Sequence, residues 1–290
     1  MNKPLVSVLM TSFNREKYIA QAIKSVLDST LTDFELIIVD DCSKDRTLSI
    51  ARSYAARDTR VKVHLNDYNL GDYANRNRAA FYAKGKYLKY VDADDYIYSH
   101  GLEVMVSMME QHPEAGFGLC TIAPYSEKPF PICLSPKEAY EFNYLKNVPI
   151  FHRAPLSSII KKDIFETQGG FYNQRMVGDF ELWHRLSLSY PIVLMPQGLI
   201  WNRVHEGQEM SSHSRYVMDY LFIAEKYIEL CSLSGKNKAF ILDKIRRNQL
   251  VTMIKNPMGL GFVQRLKLVK RSNINLFRIF HSSSRFSSNS

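Results

Sequence analysis

Along the first hundred positions, short apolar runs alternate with stretches of helical periodicity. Residues 5–10 (LVSVLM) have the pattern of a strand buried on both faces. Asn14 is then placed to cap a helix in which Tyr18, Ile19, Ala22, Ile23, Val26 and Leu27 recur on one face. Residues 35–39 (ELIIV) read as a second strand, ending at Asp40 and Asp41. Ser43 or Asp45 can cap the next helix, which carries Leu48, Ile50, Ala51 and Tyr54. A third strand covers 61–65, a helix runs from Gly71 to about Ala83, and a fourth strand covers 87–91 (YLKYV). That last strand runs into Asp92-Ala93-Asp94-Asp95.

A βαβαβαβ series predicts an α/β fold, a Rossmann-like and mostly parallel sheet flanked by helices. Ligands of such sheets bind at the carboxyl ends of the strands. Both acidic clusters, at 40–41 and 92–95, fall on that edge.

The second half is less regular. The pattern predicts a helix over 102–109, a strand over 118–122, loops with a short helix over 124–155, and a strand over 156–160. The turn Gly169-Gly170 follows, then a helix over 179–188, a short strand over 192–195 and helical periodicity over 215–255. The expected division is an α/β domain over 1–212, in two parts of about 1–100 and about 101–212, and a helical, basic extension over 213–290.

Charge changes the picture only at the end of the chain. Residues 236–290 hold twelve Lys or Arg against the single acid Asp243, more than the whole net charge of +9. The body is therefore close to neutral, and no nucleic-acid partner is expected. Residues 262–280 mix apolar and basic positions, which suits either peripheral contact with an anionic membrane or packing on the domain. Residues 282–290 are expected to be disordered. Cys42, Cys120, Cys133 and Cys231 are scattered without metal-ligand spacing and read as reduced thiols of a cytoplasmic protein. No apolar run reaches the roughly 20 residues that span a bilayer.

Three segments carry chemistry. In VDADD (91–95), three carboxylates within four residues repel one another unless something positive joins them. Taken alone, the segment is either a solvated acidic turn or a site for a hard divalent cation. In VDDCSKD (39–45), a carboxylate could accept the imide proton of uracil or thymine, while Ser43 and Asp45 would serve the local turn. In GGFYNQRMVGDFELWHRL (169–186), Asp179 opens a helix, a place where a carboxylate is usually a cap.

Together with the opening VSVLMTSFNREKYIAQAIKSVL and the ANRNRAAFYAKGKYLKYVDADD block, these segments resemble the family 2 glycosyltransferases of the GT-A fold. That family includes bacterial enzymes that build surface polysaccharides. The resemblance covers residues 5 to about 205. It implies that Thr11 and Asp41 contact the nucleobase, that Arg76 lies beside the nucleoside and that Asp92 approaches the ribose. It further implies that Asp94 and Asp95 hold Mn²⁺ or Mg²⁺ against the donor diphosphate, and that Asp179 is the catalytic base. Many members carry Glu-Asp where this chain has Gly178-Asp179. Residues 201–205 (WNRVH) resemble the family's Arg-x-His element, followed by a loop with Gln208 and Ser211, so His205 could reach the diphosphate or the metal. Trp183 is expected to pack in the core, and Trp201 could stack on a sugar.

The implied activity is transfer, with inversion, from a UDP- or dTDP-sugar to a saccharide or lipid-linked acceptor. A dehydrogenase or methyltransferase would need the glycine-rich turn after the first strand, which is absent. A nucleotidyltransferase would need a phosphate loop that residues 11–15 do not offer. A catalytically inactive nucleotide-sugar-binding module is the remaining alternative.

Overall fold

The apolar runs of the first half do form the buried centre of a sheet. The computed structural model describes residues 3–123, 128–205 and 216–255. They fall into two units, Met1–Glu209 and Met210–Ser290.

The first unit begins with strand β1 (Val6–Ser12), helix α1 (Ile19–Leu27), β2 (Phe34–Asp40), α2 (Thr47–Ala55), β3 (Val61–Leu65), α3 (Asp72–Tyr82) and β4 (Tyr87–Tyr90). There follow β5 (Tyr96–Ile97), α4 (Gly101–Glu110), β6 (Phe117–Ile122), β7 (Ile132–Leu134) and α5 (Pro136–Tyr144). A 3₁₀ turn (Pro155–Ser157) leads into β8 (Ser158–Lys161) and α6 (Lys162–Thr167), then α7 (Gly178–Leu186), β9 (Ile192–Pro196) and β10 (Ile200–Trp201).

Eight strands form one sheet in the order β3-β2-β1-β4-β8-β6-β9-β7, and β10 pairs with β5 in a separate ribbon. The first four are parallel, as the alternating pattern predicts. Beyond β4 the sheet is mixed, because β8 runs antiparallel to both β4 and β6 while β6 and β9 are parallel. All of β2 and β4 is buried, and β1 is buried except at Thr11, which accounts for their lack of polar alternation. Gly85 explains how tightly α3 returns to the sheet: a Cβ there would lie 2.5 Å from the Ser7 backbone nitrogen. The Ser7 hydroxyl accepts from the Gly85 amide at 2.8 Å and donates to Glu35 at 2.7 Å.

Some local expectations differ. Asn14 does not cap α1: it sits at φ 54° and its side-chain oxygen accepts from the Lys44 amide at 2.8 Å. Asp45, by contrast, does order the start of α2, accepting from the Thr47 amide at 2.9 Å and from the Glu16 amide at 3.1 Å. The stretch read as loops with a short helix also holds β7, and α5 opens with a capping box between Ser135 and Glu138. The strand expected over 156–160 begins only at Ser158.

The second unit contains α8 (Val217–Leu230) and α9 (Gly235–Lys255), joined by Arg246 and Gln249 donating to Glu225. Among the described residues no helix is long and apolar enough to cross a membrane. Gln208, Ser211 and the basic stretch over 262–280 lie outside the described residues, as do residues 282–290.

Candidate active site

Register places the chemistry. Thr11 and Ser12 at the end of β1 stand opposite Val39 and Asp40 at the end of β2. On the other side Leu9 pairs with Tyr90, so the acids after β4 emerge level with Thr11, and the Ala93 amide donates to the Thr11 carbonyl. The two acidic clusters therefore share the carboxyl edge of the parallel strands.

Asp92 is clamped. The Arg76 guanidinium donates to both of its oxygens, at 2.6 and 3.0 Å, and the Thr11 hydroxyl donates to Oδ1 at 3.3 Å. Arg76 also donates to Asp72, one turn earlier on α3, at 2.8 Å. Thr11, Arg76 and Asp92 thus meet.

Asp94 lies two residues on. Its Oδ2 accepts from Arg15 Nε at 2.6 Å and lies 3.1 Å from His205 Nε2. The His205 ring also rests against Tyr18, with centroids 4.6 Å apart. Asp94 and His205 are therefore together, and Arg15 joins them. Sequence reasoning missed Arg15. It follows Asn14, whose positive φ turns the chain back over the acids, and its amide is fixed by the Thr47 hydroxyl at 2.7 Å.

Asp95 faces a different neighbour. Buried, it accepts from the Arg203 amide at 2.9 Å and from the Asn202 side chain at 3.4 Å, tying the segment after β10 to the acidic motif. Burial, with the Asp92 charge next in weight, pushes its carboxyl up to about 7. Carboxylate oxygens are hard ligands that suit Mn²⁺ or Mg²⁺, though as they stand no three of the described acids and His205 converge on one point. Asp94, whose Oδ1 meets no protein donor among the described residues, is the best placed of them.

Asp41 is buried and organises a loop. Its Oδ1 accepts from the Asn66 side chain at 2.7 Å and the Leu70 amide at 2.8 Å, and its Oδ2 from the Gly71 amide at 2.9 Å. An ionised carboxylate has about four acceptor positions, so about one remains for a ligand.

Asp179 lies in the first turn of α7, partly buried, with Oδ1 accepting from the Phe180 amide at 2.7 Å. Burial pushes its carboxyl up to about 6, against the opposing pull of hydrogen bonds from the Phe180 amide and the Tyr73 phenol. Tyr73 lies on α3 three residues before Arg76, so one helix face touches both Asp179 and Asp92. Sequence reasoning missed Tyr73, although its spacing from Arg76 was the available signal.

Gly178 replaces the family's customary acid for a steric reason. A Cβ there would lie 2.6 Å from the Tyr172 carbonyl and 2.8 Å from the Tyr73 ring. Trp183 is fully buried, stacks on Phe117 and donates from its indole to the Arg153 carbonyl, so it is core. Trp201 is 43% exposed, with the Arg203 guanidinium 4.7 Å above its ring.

A half-parallel sheet with paired acids at its carboxyl edge and a third acid opening a later helix defines a GT-A nucleotide-sugar fold. Two solved structures share it. TarS of S. aureus in complex with UDP-GlcNAc superimposes with TM-score 0.66 over 91% of this chain and 78% of its own, at 20% identity. A mannosyltransferase of Pyrobaculum calidifontis in complex with GDP-Man and Mn²⁺ does so with TM-score 0.64 over 98% and 84%, at 14% identity. The chain belongs to glycosyl transferase family 2, whose profile matches residues 7–169.

Curated relatives agree with that membership. One is the UDP-Glc:alpha-D-GlcNAc-diphosphoundecaprenol beta-1,3-glucosyltransferase WfgD of Escherichia coli, 38% identical over 38% of this chain and 42% of its own. Another is the putative colanic acid biosynthesis glycosyl transferase WcaA of Escherichia coli K12, 27% identical over 86% and 91%. An uncharacterized glycosyltransferase of Haemophilus influenzae is 37% identical over 39% of this chain. The chain spans less than half the length of the relatives it matches at 37–40% identity, 45% of the Haemophilus protein among them.

Proposed function

We propose that this protein transfers a glycosyl unit from a nucleoside-diphosphate sugar to an acceptor hydroxyl, with inversion, in the assembly of a bacterial surface polysaccharide. The observation that carries this reading is the bridge made by α3. One helix face sets a raised-pKa carboxylate, Asp179, in fixed relation to the clamped acid Asp92.

In this reading Asp41 accepts the imide proton of uracil or thymine, which favours a UDP- or dTDP-sugar. Thr11 and Arg76 flank the nucleoside, and Asp92 faces the ribose. Asp94 holds Mn²⁺ or Mg²⁺ with His205 beside it, while Asp95 braces the 202–203 segment. Bound there, the cation offsets charge developing on the diphosphate. Arg15, already at Asp94, adds a second positive group for that leaving group.

Asp179 takes the proton of the acceptor hydroxyl as its oxygen bonds to the anomeric carbon. The anomeric carbon–oxygen bond to the diphosphate breaks, and its electron pair leaves with the diphosphate. An α-linked donor then gives a β-glycoside. Exposed Trp201 offers a stacking face for the acceptor sugar. A lipid-linked saccharide is the favoured acceptor, matching what the name of WfgD says of that enzyme. It would be met at the cytoplasmic face of the membrane through the basic stretch over 262–280.

The test supplies UDP-, dTDP- and GDP-sugars with Mn²⁺ and a diphosphoundecaprenol-linked sugar, and follows nucleoside diphosphate release and product anomer by NMR. A β-linked product that depends on Asp179 supports the reading. Release of none of these nucleotides under any pairing contradicts it.

A further inference from the structure

A second cluster of metal-ligating side chains lies far from the acids. His112 and Glu114 sit in the turn between α4 and β6, and Cys133 lies on β7. Their candidate ligand atoms all fall within 4.8 Å of one another. The Cys133 sulfur is 3.4 Å from Glu114 Oε1, and His112 Nδ1 is 3.5 Å from the same oxygen.

Cys133 donates to Glu114 directly, whereas the His112 separation is long for direct pairing, and both distances suit sharing an ion. An N–H···O hydrogen bond is normally about 2.7–3.2 Å, so the imidazole and carboxylate stand apart. A tetrahedral zinc with bonds of about 2.3 Å to sulfur and about 2.0–2.1 Å to nitrogen and oxygen sets S···O edges near 3.5 Å and N···O edges near 3.3 Å. The two measured edges match that figure to within about 0.2 Å. Among the described residues no side chain outside the cluster hydrogen-bonds or ion-pairs with any of the three, and the Glu114 carboxylate is drawn otherwise only to its own amide.

The backbone beneath them is fixed. The His112 amide donates to Met109, the Ala115 amide to His112 and the Gly116 amide to Pro191. Cys133 is held in register with Val193 of β9. Because β6 is parallel to β4 by way of β8, the turn before β6 lies at the opposite edge of the sheet from Asp94 and Asp179.

We infer that His112, Glu114 and Cys133 form a zinc-class site that clips the outermost strand β7 to the α4–β6 turn. A thiolate, an imidazole and a carboxylate suit Zn²⁺ better than Mg²⁺ or Mn²⁺. Water completes the fourth position, since the Glu114 side chain is 55% exposed. On binding, the Cys133 thiol gives up its proton to solvent, and neutral His112 ligates through Nδ1. The site is structural and independent of the transfer reaction.

The test uses the full-length protein freed of metal and titrated with Co²⁺ under reducing conditions. One equivalent produces a near-ultraviolet thiolate-to-cobalt charge-transfer band, which Zn²⁺ then abolishes. The band persists in Asp94→Ala, which separates this site from the donor site. It is lost in Cys133→Ala. In His112→Ala and Glu114→Gln, which keep the thiol, it needs at least about tenfold more metal to develop. Absence of the band in the unmodified protein overturns the inference. So does a band that survives Cys133→Ala, because another cysteine would then be the ligand.

Discussion

Arg76 holds Asp92 through two hydrogen bonds, and the same guanidinium reaches Asp72, so a single buried cation is shared between two carboxylates at the mouth of the site. Planar bidentate pairing is a property of arginine that lysine does not reproduce. Arg76→Lys should therefore lose at least about tenfold in nucleotide affinity and about 1–3 kcal/mol of stability, the loss expected when a largely buried pair is broken in a partly solvated place. Calorimetry and denaturant melts of the two proteins check both.

Asp179 should show its raised carboxyl in the pH profile. Its folded value of about 6 lies above the 3.8 of a free aspartate side chain. The carboxylate that accepts the proton is thus lost below about pH 6, and kcat should climb as pH rises through that value. The sign for stability is opposite: the raised value favours folding below about pH 3.8, and that advantage disappears as pH rises through about 6. Asp179→Asn should lower kcat by about 10²–10⁴, leave donor affinity unchanged and melt no lower than the unmodified protein at pH 8. Steady-state kinetics across pH 5–9, an interval of about 2 units either side of neutrality, together with thermal melts, check this.

Arg15 sits where a cation belongs, 2.6 Å from Asp94. With no nucleotide present it competes with the metal. Arg15→Ala should bind Mn²⁺ about fivefold more tightly in the absence of nucleotide, the effect of roughly 1 kcal/mol of partly screened repulsion. The same variant should bind nucleoside diphosphate more weakly. Electron paramagnetic resonance of free Mn²⁺, with and without UDP, reads both changes.

Restoring the family's acidic residue should harm this chain. Gly178→Glu forces a side chain against the Tyr172 carbonyl and the Tyr73 ring, which a Cβ alone would already meet at 2.6 and 2.8 Å. A loss of about 1–3 kcal/mol is expected from such overpacking, along with reduced kcat as Tyr73 is pushed away from Asp179. Denaturant melts and single-turnover rates check it.

The parallel half of the fold was legible because β1, β2 and β4 are buried on both faces and their helices carry clear apolar stripes. In the mixed half the runs that form β6, β8 and β9 were also legible, but β5, β7 and β10 were not, since they are two or three residues long and too short for a period to register. In the site, the acids announced themselves by crowding at strand ends. Arg15 and Tyr73 did not, because each acts through a partner distant in sequence: Arg15 on Asp94, and Tyr73 on Asp179. The cysteines looked scattered for the same reason. Cys133 meets His112 and Glu114 only when β7 returns beside the α4–β6 turn.

The most direct test of the donor-site account is calorimetric titration of UDP and dTDP with and without Mn²⁺, into the unmodified protein and Asp94→Ala. The account predicts binding that needs the metal and falls by at least about tenfold in the variant. Binding of neither nucleotide, or metal-dependent binding that Asp94→Ala leaves intact, would contradict it.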